Sequence, residues 1–550
     1  MSEFDYGRRD FLKTLGLGAV AAALSGGTSA ARASGSKGAG KNRGRRLNIL
    51  WISCEDTSCD LGCYDDDYAD TPNLDQLARQ GRRYSNAFVV YPVCAPTRSS
   101  VITGMYPSTI GTMHMRTSLK GYEAVPPPQV KCFTEYLRAS GYYCTNNSKT
   151  DYQFAPPFTA WDESSKRAHW RNRPEGPAFF SVINLTVSHE SRSWPKKGEK
   201  LIHDPCKAVL PPYWPDTPVV RENLARYYDN VTKMDQQAGE ILRQLADDEL
   251  ADDTVVFFWS DHGRGLPRHK RWVYDSGIHV PLIIRWPGRI KGGEVCEDLV
   301  SCVDFAPTVL SIAGAAIPAY MQGRAFLGEQ KGKTREYIFA GRERMDAKSE
   351  DHIRCVRDRR YKYIRNFMPE KPYAQPIPYR DKMPIMQEWR RLNAEGKLTG
   401  PQRLFFRETK PAEELYDVVS DPHEINNLAE SPAHREVIER MRGVLDEWIK
   451  KTGDLGGIPE DELIERMWPG RKQPVTATPA VETTAASDSE VTVIITCATE
   501  GASIGYRVGS DGRWLLYTEP VRLACGTELW TRAIRIGYKP SGEVHKIVGP

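Results

Sequence analysis

Three apolar segments of strand length end in polar residues, and this pattern restricts the fold more than any other feature of the chain. The segments LNILWIS, AFFSVINLTV and DTVVFFWS lead to Glu55-Asp56, His189 and Asp261-His262, respectively. Apolar runs of this length that alternate with helical patterns are typical of a mainly parallel sheet flanked by helices. Side chains at the carboxyl ends of such strands meet along one edge, where ligands bind. The sequence therefore predicts an α/β domain with a polar site at that edge.

The length and charge of the chain limit the number of domains and the classes of partner that can be expected. With 550 residues the chain is too long for a single compact core, so we expect one large domain and smaller ones. A net charge of +4 is too small and too evenly distributed to favour nucleic acid as a partner. Beyond the N-terminal region, no apolar run is long enough to cross a bilayer, so no transmembrane segment is expected in the mature chain.

The N-terminus has the segment order of an export signal. Arg8-Arg9 is followed by the apolar stretch LGLGAVAAAL and by small residues up to Ala31-Arg32-Ala33, a pattern typical of a cleavage site. This order resembles a twin-arginine signal peptide more than a short helix that contains Arg-Arg by chance. We therefore expect a signal peptide at 1–33, a flexible leader at 34–46, and export by the twin-arginine translocase to the periplasm or the cell exterior. Because that pathway carries folded proteins, the 12 cysteines need not pair.

The C-terminal part of the chain is predicted to carry an appended β-domain. Residues 473–489, QPVTATPAVETTAASDS, are rich in Pro, Thr and Ala and predict a linker. The runs EVTVIITCAT, SIGYRVG, VRLAC and TELWTRAIRIG are divided by turn residues, which predicts a β-sandwich of at most about seven strands at 490–550. The segments 498–506 and 537–541 resemble the chitobiase C-terminal type of β-domain, which occurs on sugar-active enzymes. Carbohydrate or surface attachment and a purely structural packing role both remain open for it.

Glu55, Asp56 and Asp261 together predict a cation site. Each acidic residue alone is explained as a turn former or a helix cap. Three carboxylates at one sheet edge suit one hard cation, for which we favour calcium, with magnesium as the alternative. Such an ion would neutralise an anionic substrate and polarise one of its oxygens.

Cys94 lies in the segment VCAPTRSSVITGMYP, where a helix is predicted to begin near Pro96. A single cysteine is usually a buried thiol, but a helix N-terminus favours negative charge, and Arg98 adds a fixed cation one turn along. The pattern Cys-x-Pro-x-Arg at 94–98, with Thr103-Gly104 downstream, resembles the signature of the type I sulfatases in the alkaline-phosphatase superfamily. The resemblance covers roughly 47–453, with further landmarks in order at 260–263, 270–275 and 280–288.

The resemblance implies an alkaline-phosphatase-like catalytic α/β domain at 47–340 and a smaller α+β subdomain at 341–472. It implies that a sulfatase-maturation enzyme oxidises Cys94 to formylglycine, whose hydrated aldehyde attacks sulfur. It also implies a metal site that is formed by Glu55, Asp56, Cys94, Asp261 and His262. Glu55 stands where the family usually has Asp, and His262 stands where Asn or Gln is common.

The catalytic residues implied by the resemblance are Cys94, Arg98, Lys149, Asp151, His189 and Lys270. Lys149 and Lys270 would hold sulfate oxygens, and His189 would act as the general acid towards the leaving group. Asp151 stands where the family usually has His; its carboxylate would accept a proton but repel sulfate unless a cation balances it. A satisfied core histidine and a solvated basic patch are the competing interpretations of His189 and of the loop at 268–271.

The predicted substrate is a sulfated carbohydrate, because the motifs resemble the bacterial carbohydrate sulfatases and the heparan N-sulfatase branch more than the aryl sulfatases. His114, Arg116 and His269 are predicted to contact the sugar. Two alternatives remain open at this point. One is a phosphonate or phosphodiester hydrolase on the same scaffold, and the other is a catalytically inactive carbohydrate-binding relative in which Cys94 is not converted.

Overall fold

The computed structural model describes residues 46–195, 198–346 and 349–549. The predicted signal peptide at 1–33 and, apart from Arg46, the predicted leader at 34–46 lie outside the described residues. The strands are β1 (Asn48–Cys54), β2 (Arg82–Tyr84), β3 (Ala87–Phe88), β4 (Tyr143–Asn147), β5 (Glu163–Ser164), β6 (Phe179–Leu185), β7 (Thr254–Ser260), β8 (Leu282–Arg285), β9 (Glu294–Cys296), β10 (Val300–Ser301), β11 (Ile338–Arg342), β12 (Ile353–Arg357), β13 (Tyr361–Asn366), β14 (Glu413–Asp417), β15 (Ala480–Ala485), β16 (Glu490–Thr496), β17 (Ser503–Val508), β18 (Leu515–Tyr517), β19 (Val521–Ala524), β20 (Glu528–Ile534) and β21 (Val544–Ile547). The α-helices are α1 (Pro72–Gln80), α2 (Cys94–Thr103), α3 (Pro107–Ile110), α4 (Phe133–Ala139), α5 (Pro218–Asp247), α6 (Asp275–Ile278), α7 (Phe305–Ala313), α8 (Pro384–Ala394), α9 (Arg435–Thr452) and α10 (Glu460–Met467).

The large domain is built on an eight-stranded sheet in the order β5-β4-β6-β1-β7-β8-β2-β9. The strands from β5 to β7 in this order are parallel neighbours, whereas β8 is antiparallel to both β7 and β2. The central strand β1 is buried along its whole length, and its Trp51 ring lies 5.0 Å from Phe180 and 5.6 Å from Trp259. The predicted mainly parallel α/β fold is confirmed.

The strand register explains why the polar strand ends meet. Cys54 at the end of β1 lies opposite Leu185 of β6 and Ser260 of β7. The three strands therefore end at the same level, and the residues that follow them are delivered to one edge of the sheet.

The smaller subdomain is an antiparallel sheet, β11-β12-β13-β14, covered by α9. The buried residues of α9 recur every three or four positions, as an amphipathic helix on a sheet requires; they are Ile438, Met441, Leu445 and Trp448. The predicted boundary between residues 340 and 341 falls within β11, so the sheet of this subdomain begins before it. Within the described residues, no helix combines the length and the apolar composition that a membrane span requires.

The C-terminal β-domain is a sandwich of a three-stranded sheet, β15-β16-β19, and a four-stranded sheet, β18-β17-β20-β21. Its small core includes Val491, Val493 and Leu529. β15 lies inside the segment 473–489 that was predicted to be a linker, so that prediction is wrong for 480–485. The strand forms because the half-buried Val481 and Thr483 alternate with exposed neighbours along the edge of β16, a two-residue period that the Thr- and Ala-rich composition obscures.

The β-sandwich packs directly on the catalytic domain. Lys131 is 9% exposed, and its Nζ donates to Oγ of Ser503 at 2.9 Å and to the carbonyl oxygen of Gly501. Arg138 donates to the carbonyl oxygen of Trp514 at 2.8 Å. The sandwich thus satisfies buried cations of the catalytic domain and is fixed to it by polar contacts.

Candidate active site

Cys94 is the first residue of α2 and lies beside the polar edge of the sheet, where it is 1% exposed. Burial would raise the pKa of its thiol, but the positive groups around it lower the pKa well below its usual value. These groups are Lys149, His262, Lys270 and Arg116, whose Nη2 lies 3.7 Å from Sγ. The site therefore stabilises negative charge at the position of Cys94.

Asp56, Asp261 and His262 form a buried cluster that fits a cation. All three side chains are 0% exposed, and Nε2 of His262 lies 3.0 Å from Oδ1 of Asp56 and 3.5 Å from Oδ1 of Asp261. Nδ1 of His262 donates to the carbonyl oxygen of Gly263 at 2.9 Å, so Nε2 of the neutral ring presents a lone pair. Burial would lower the pKa of His262, but Asp261 and Asp56 raise it to about 10. A lone pair that faces two carboxylates needs a proton or a metal ion between them, so these residues fit a metal.

The backbone of Gly265 packs closely against the carboxylate of Asp56. A Cβ atom at position 265 would lie 2.5 Å from Oδ2 of Asp56 and 2.8 Å from Cβ of Glu190. Because both distances are shorter than a van der Waals contact, only glycine leaves room for the Asp56 carboxylate in this position.

Glu55 does not join the cluster. Its carboxylate pairs with the ammonium group of Lys149 and lies 3.4 Å from Nη2 of Arg98. Among the described residues, the groups close enough to share one ion are Asp56, Asp261 and His262, and separately Asp56, His189 and Glu190. Glu55 lies outside both groups because its side chain is turned towards these cations, so its ligation of the ion stays a prediction. The Cys94 thiol is also outside both groups, so ligation by a modified Cys94 stays a prediction.

Arg98 is held rigidly at the base of the site. Its Nε donates to Oδ2 of Asp261 at 3.0 Å, and its Nη1 donates to Oδ1 of Asn184 at 2.8 Å. The side chain is 4% exposed. Asn184 was not predicted; the available signal was a polar residue inside the apolar run AFFSVINLTV.

Lys270 is held between two carboxylates. Its Nζ lies 2.9 Å from both carboxylate oxygens of Asp56 and 2.9 Å from Oε1 of Glu190. Arg271 donates to both carboxylate oxygens of Glu190, at 2.9 and 2.8 Å. Burial would raise the pKa of Glu190, but Arg271 and Lys270 lower it to about 2. Sequence reasoning missed Glu190 as a partner of these cations, although it directly follows His189.

The loop at 268–271 is a buried network and not a solvated patch. Its four residues are at most 3% exposed. His269 lies 2.7 Å from the hydroxyl of Tyr213 through Nε2 and stacks on Trp214 with ring centroids 4.7 Å apart. Arg268 donates to the carbonyl oxygens of His423 and Glu424. The prediction that His269 contacts substrate is therefore corrected, because aromatic residues from a distant segment bury it.

His114 is likewise buried beneath the rim rather than exposed on it. It is 7% exposed, and neither ring nitrogen has a hydrogen-bond partner among the described residues. Burial lowers the pKa of His114 to about 4, although Glu460 opposes this shift. The prediction that His114 reaches substrate is corrected, because the side chain is buried. Its neighbour Met115 packs in the same apolar cluster as Cys94.

Arg116 reaches the site, and its contact with the substrate stays a prediction. Its guanidinium group pairs with the carboxylate of Asp151, and Nζ of Lys149 lies 3.8 Å from Oδ2 of Asp151. Two cations thus balance the Asp151 charge. The loop is held by Arg344, which donates to the carbonyl oxygens of Met115 and Arg116 at 3.1 and 3.0 Å. No sequence signal pointed to Arg344, which lies in the segment assigned to the other subdomain.

His189 lies near Asp56 at the mouth of the site. The backbone N–H of Ser191 donates to Nδ1 of His189 at 3.3 Å, and the Ser191 hydroxyl lies 2.9 Å from the same nitrogen. Because Nδ1 accepts a hydrogen bond, Nε2 carries the proton in the neutral ring. The neutral ring is thus oriented to donate a hydrogen bond from Nε2.

Comparisons with known proteins agree with this geometry. A family model described as Sulfatase matches residues 47–182 and 162–315, and one described as N-sulphoglucosamine sulphohydrolase, C-terminal, matches residues 267–374. The chain is 44% identical over 544 residues to an ulvan-active sulfatase from Formosa agariphila, covering 90% of each protein. It is 26% identical to the human N-sulphoglucosamine sulphohydrolase, covering 79% of this chain and 96% of that protein.

Among solved structures, a phosphonate monoester hydrolase from Silicibacter pomeroyi has the same fold, with a TM-score of 0.56 at 18% identity over 74% of this chain and 96% of that one. Fold and site thus define a hydrolase of the alkaline-phosphatase superfamily. The chain belongs to the sulfatase family within it, and it is a sulfuric ester hydrolase.

Proposed function

We propose that this sulfatase hydrolyses sulfate esters or sulfamates of carbohydrates with a formylglycine made from Cys94 and a bound calcium ion. The observation that carries the proposal is the buried cluster of Asp56, Asp261 and His262 beside Cys94, around which cationic side chains converge. The carbohydrate class is supported by the 44% identical relative that is active on ulvan.

Asp56, Asp261 and His262 would hold the cation, which supplies positive charge to the sulfate oxygens when it is bound. Formylglycine at position 94, once formed, supplies a geminal hydroxyl as the attacking group. The other parts of the reaction, which are charge neutralisation and proton transfer, would be carried out by side chains of the protein.

Arg98 and Lys149 face Cys94 from the base of the site and would neutralise the charge that otherwise repels a nucleophile from a sulfate ester. Lys270 would hold a sulfate oxygen from the opposite side. Asp151, whose charge is balanced by Arg116 and Lys149, would accept a proton from the nucleophile.

His189 would act as the general acid. In the imidazolium form, Nδ1–H would donate to the Ser191 hydroxyl oxygen, and the proton on Nε2 would pass to the leaving alcohol oxygen and leave the neutral ring. A sugar alkoxide is a poor leaving group, and this proton transfer is most valuable for such a substrate.

The proposal includes export. The N-terminal twin-arginine pattern supports transfer of the folded enzyme to the periplasm or the cell exterior by the twin-arginine translocase. Because that route carries folded proteins, the sulfatase-maturation enzyme would act on Cys94 in the cytoplasm before export.

The test is expression with and without a sulfatase-maturation enzyme, followed by mass measurement of the peptide that contains residue 94. Sulfate release is then measured from sulfated algal oligosaccharides, N- and O-sulfated hexosamines and nitrophenyl sulfate, with a phosphonate monoester as the paired control. We expect release only from converted protein and preferably from a saccharide. Faster turnover of the phosphonate, or a preference for nitrophenyl sulfate, would contradict the proposal.

A further inference from the structure

A cleft of about 320 Å³ opens beside the active site, between the end of β6, the turn that follows His189, and helix α5. Its polar lining includes Asn184, Thr186, Arg192, Asn230, Lys233 and Gln237. The volume is at the lower end of the range of small-ligand pockets and suits one sugar residue. None of the catalytic residues described above lines it.

The cleft shares walls with the active site in two places. Asn184, at its inner end, accepts the hydrogen bond from Nη1 of Arg98 at 2.8 Å. The backbone N–H of Arg192 donates to the carbonyl oxygen of His189 at 2.8 Å, so Arg192 stands one turn beyond the proposed general acid. A group in the cleft would therefore lie on the leaving-group side of the sulfate.

Two cations give the cleft its charge. Among the described residues, no ion-pair partner of Arg192 is found. Lys233 is 38% exposed and lies 3.5 Å from Oε1 of Glu199, but Glu199 already makes a closer pair with Arg226 at 2.6 Å. The positive charge at the cleft therefore exceeds the negative charge beside it.

Asn230 adds a buried donor. It is 4% exposed, and its Nδ2 has no hydrogen-bond partner among the described residues, although it lies in the wall of the cleft. A buried amide that is left unpaired is destabilising, so a ligand oxygen at this point would be favoured.

We propose that this cleft is a subsite for an anionic sugar residue, one that carries a carboxylate or a second sulfate and is linked to the sugar that loses its sulfate. Arg192 and Lys233 would pair with the anionic group, and Asn230 would donate to one of its oxygens. The inference rests on the proposed function, because its ligand is the neighbour of the sulfated sugar.

The experiment compares Arg192→Ala and Asn230→Leu with the wild type on four substrates. These are a sulfated monosaccharide, a disaccharide with a neighbouring uronate, the same disaccharide with the uronate reduced to an alcohol, and one with a second sulfate in its place. Arg243→Ala is the matched control, because Arg243 is an exposed arginine on α5, the helix that carries Asn230, and it pairs with Glu240.

We expect Arg192→Ala to lower kcat/KM roughly tenfold or more on a disaccharide that carries the uronate or the second sulfate, because a charge-assisted hydrogen bond to that group is lost. On the monosaccharide and on the reduced disaccharide, which lack the group, kcat/KM should fall less than about twofold. A loss confined to the uronate or to the second sulfate identifies the anionic group. Equal losses on all substrates, or no loss on either anionic disaccharide, would overturn the subsite.

A binding measurement separates this inference from the proposed function. Calorimetry with the uronate disaccharide that lacks the sulfate ester tests the cleft without turnover. If the wild type desulfates no saccharide, the proposed function fails, yet weaker binding by Arg192→Ala would still support an anionic subsite. Equal binding by both proteins would overturn it.

Discussion

Arg344→Met should weaken both the fold and the reaction, because Arg344 joins the smaller subdomain to the loop that presents Arg116. Its guanidinium group is 2% exposed and pairs with both carboxylate oxygens of Glu460, at 2.6 and 2.7 Å. Removing one partner of a buried pair costs about 3–5 kcal/mol when the other charge is left uncompensated. Lys120 remains 3.6 Å from Oε2 of Glu460, so we expect the lower end of this range. At about 2 °C per kcal/mol for a large domain, the melting temperature should fall by roughly 6 °C.

The activity should fall as well, because Arg344 also fixes the carbonyl oxygens of Met115 and Arg116. A displacement of Arg116 by about 1 Å can cost roughly a hundredfold in rate. The assay is thermal melting together with kcat/KM for sulfate release, on the variant and on Arg442→Met, which breaks an exposed pair with Glu413.

The double variant Arg344→Met/Glu460→Met completes the experiment. Because it removes both buried charges, it should melt above Arg344→Met although it carries one more substitution. If Arg344→Met melts and turns over like Arg442→Met, or if the double variant melts no higher than Arg344→Met, the argument from the buried pair is wrong.

Three further predictions follow from the site. Cys94→Ser and Cys94→Ala should melt close to the wild type and release no sulfate; wild-type rates in either variant, with conversion of the parent confirmed by mass, would contradict the assignment of the nucleophile. Chelation should lower the melting temperature and the activity, and calcium should restore both. A free calcium concentration of a hundred times its dissociation constant should stabilise the fold by about 2.7 kcal/mol. Unchanged melting of demonstrably metal-free enzyme would count against the cation. His189→Gln should slow desulfation of sugars far more than that of nitrophenyl sulfate, whose leaving group needs no proton, and equal slowing of both would refute the general-acid role.

The sequence predicted those parts of the site that depend on strand order and register. The apolar runs of β1, β6 and β7 define a parallel sheet. Because the three strands end at the same level, Asp56, His189 and Asp261 lie together. Cys94 was predicted from its motif and its place at a helix start. These features are encoded locally, in hydrophobic periodicity and in short motifs.

The choice of ionic partners could not be predicted in the same way. Glu55 and Asp56 are adjacent in the chain, yet Asp56 has a φ of 54°, in the left-handed region, and the two carboxylates serve different cations. His269 is buried by Tyr213 and Trp214, which lie more than fifty residues earlier in the chain. Such contacts depend on the packing of long side chains from separate segments, which periodicity does not record.

The ion pairs of the site explain why metal and substrate should depend on each other. Each carboxylate is paired with at least one cation; the pairs include Glu55 with Lys149, Asp56 with Lys270, Asp151 with Arg116, Glu190 with Arg271, and Asp261 with Arg98. A sulfate ester is an anion, and cations that are already paired attract it weakly. A divalent ion bound to Asp56 and Asp261 would compete with Lys270 and Arg98 for these carboxylates. It would thereby leave each cation with one carboxylate fewer, Lys270 with Glu190 and Arg98 with Glu55, and make both more available to sulfate. The loss of activity on chelation would then include weaker sulfate binding as well as the loss of the ion's own charge.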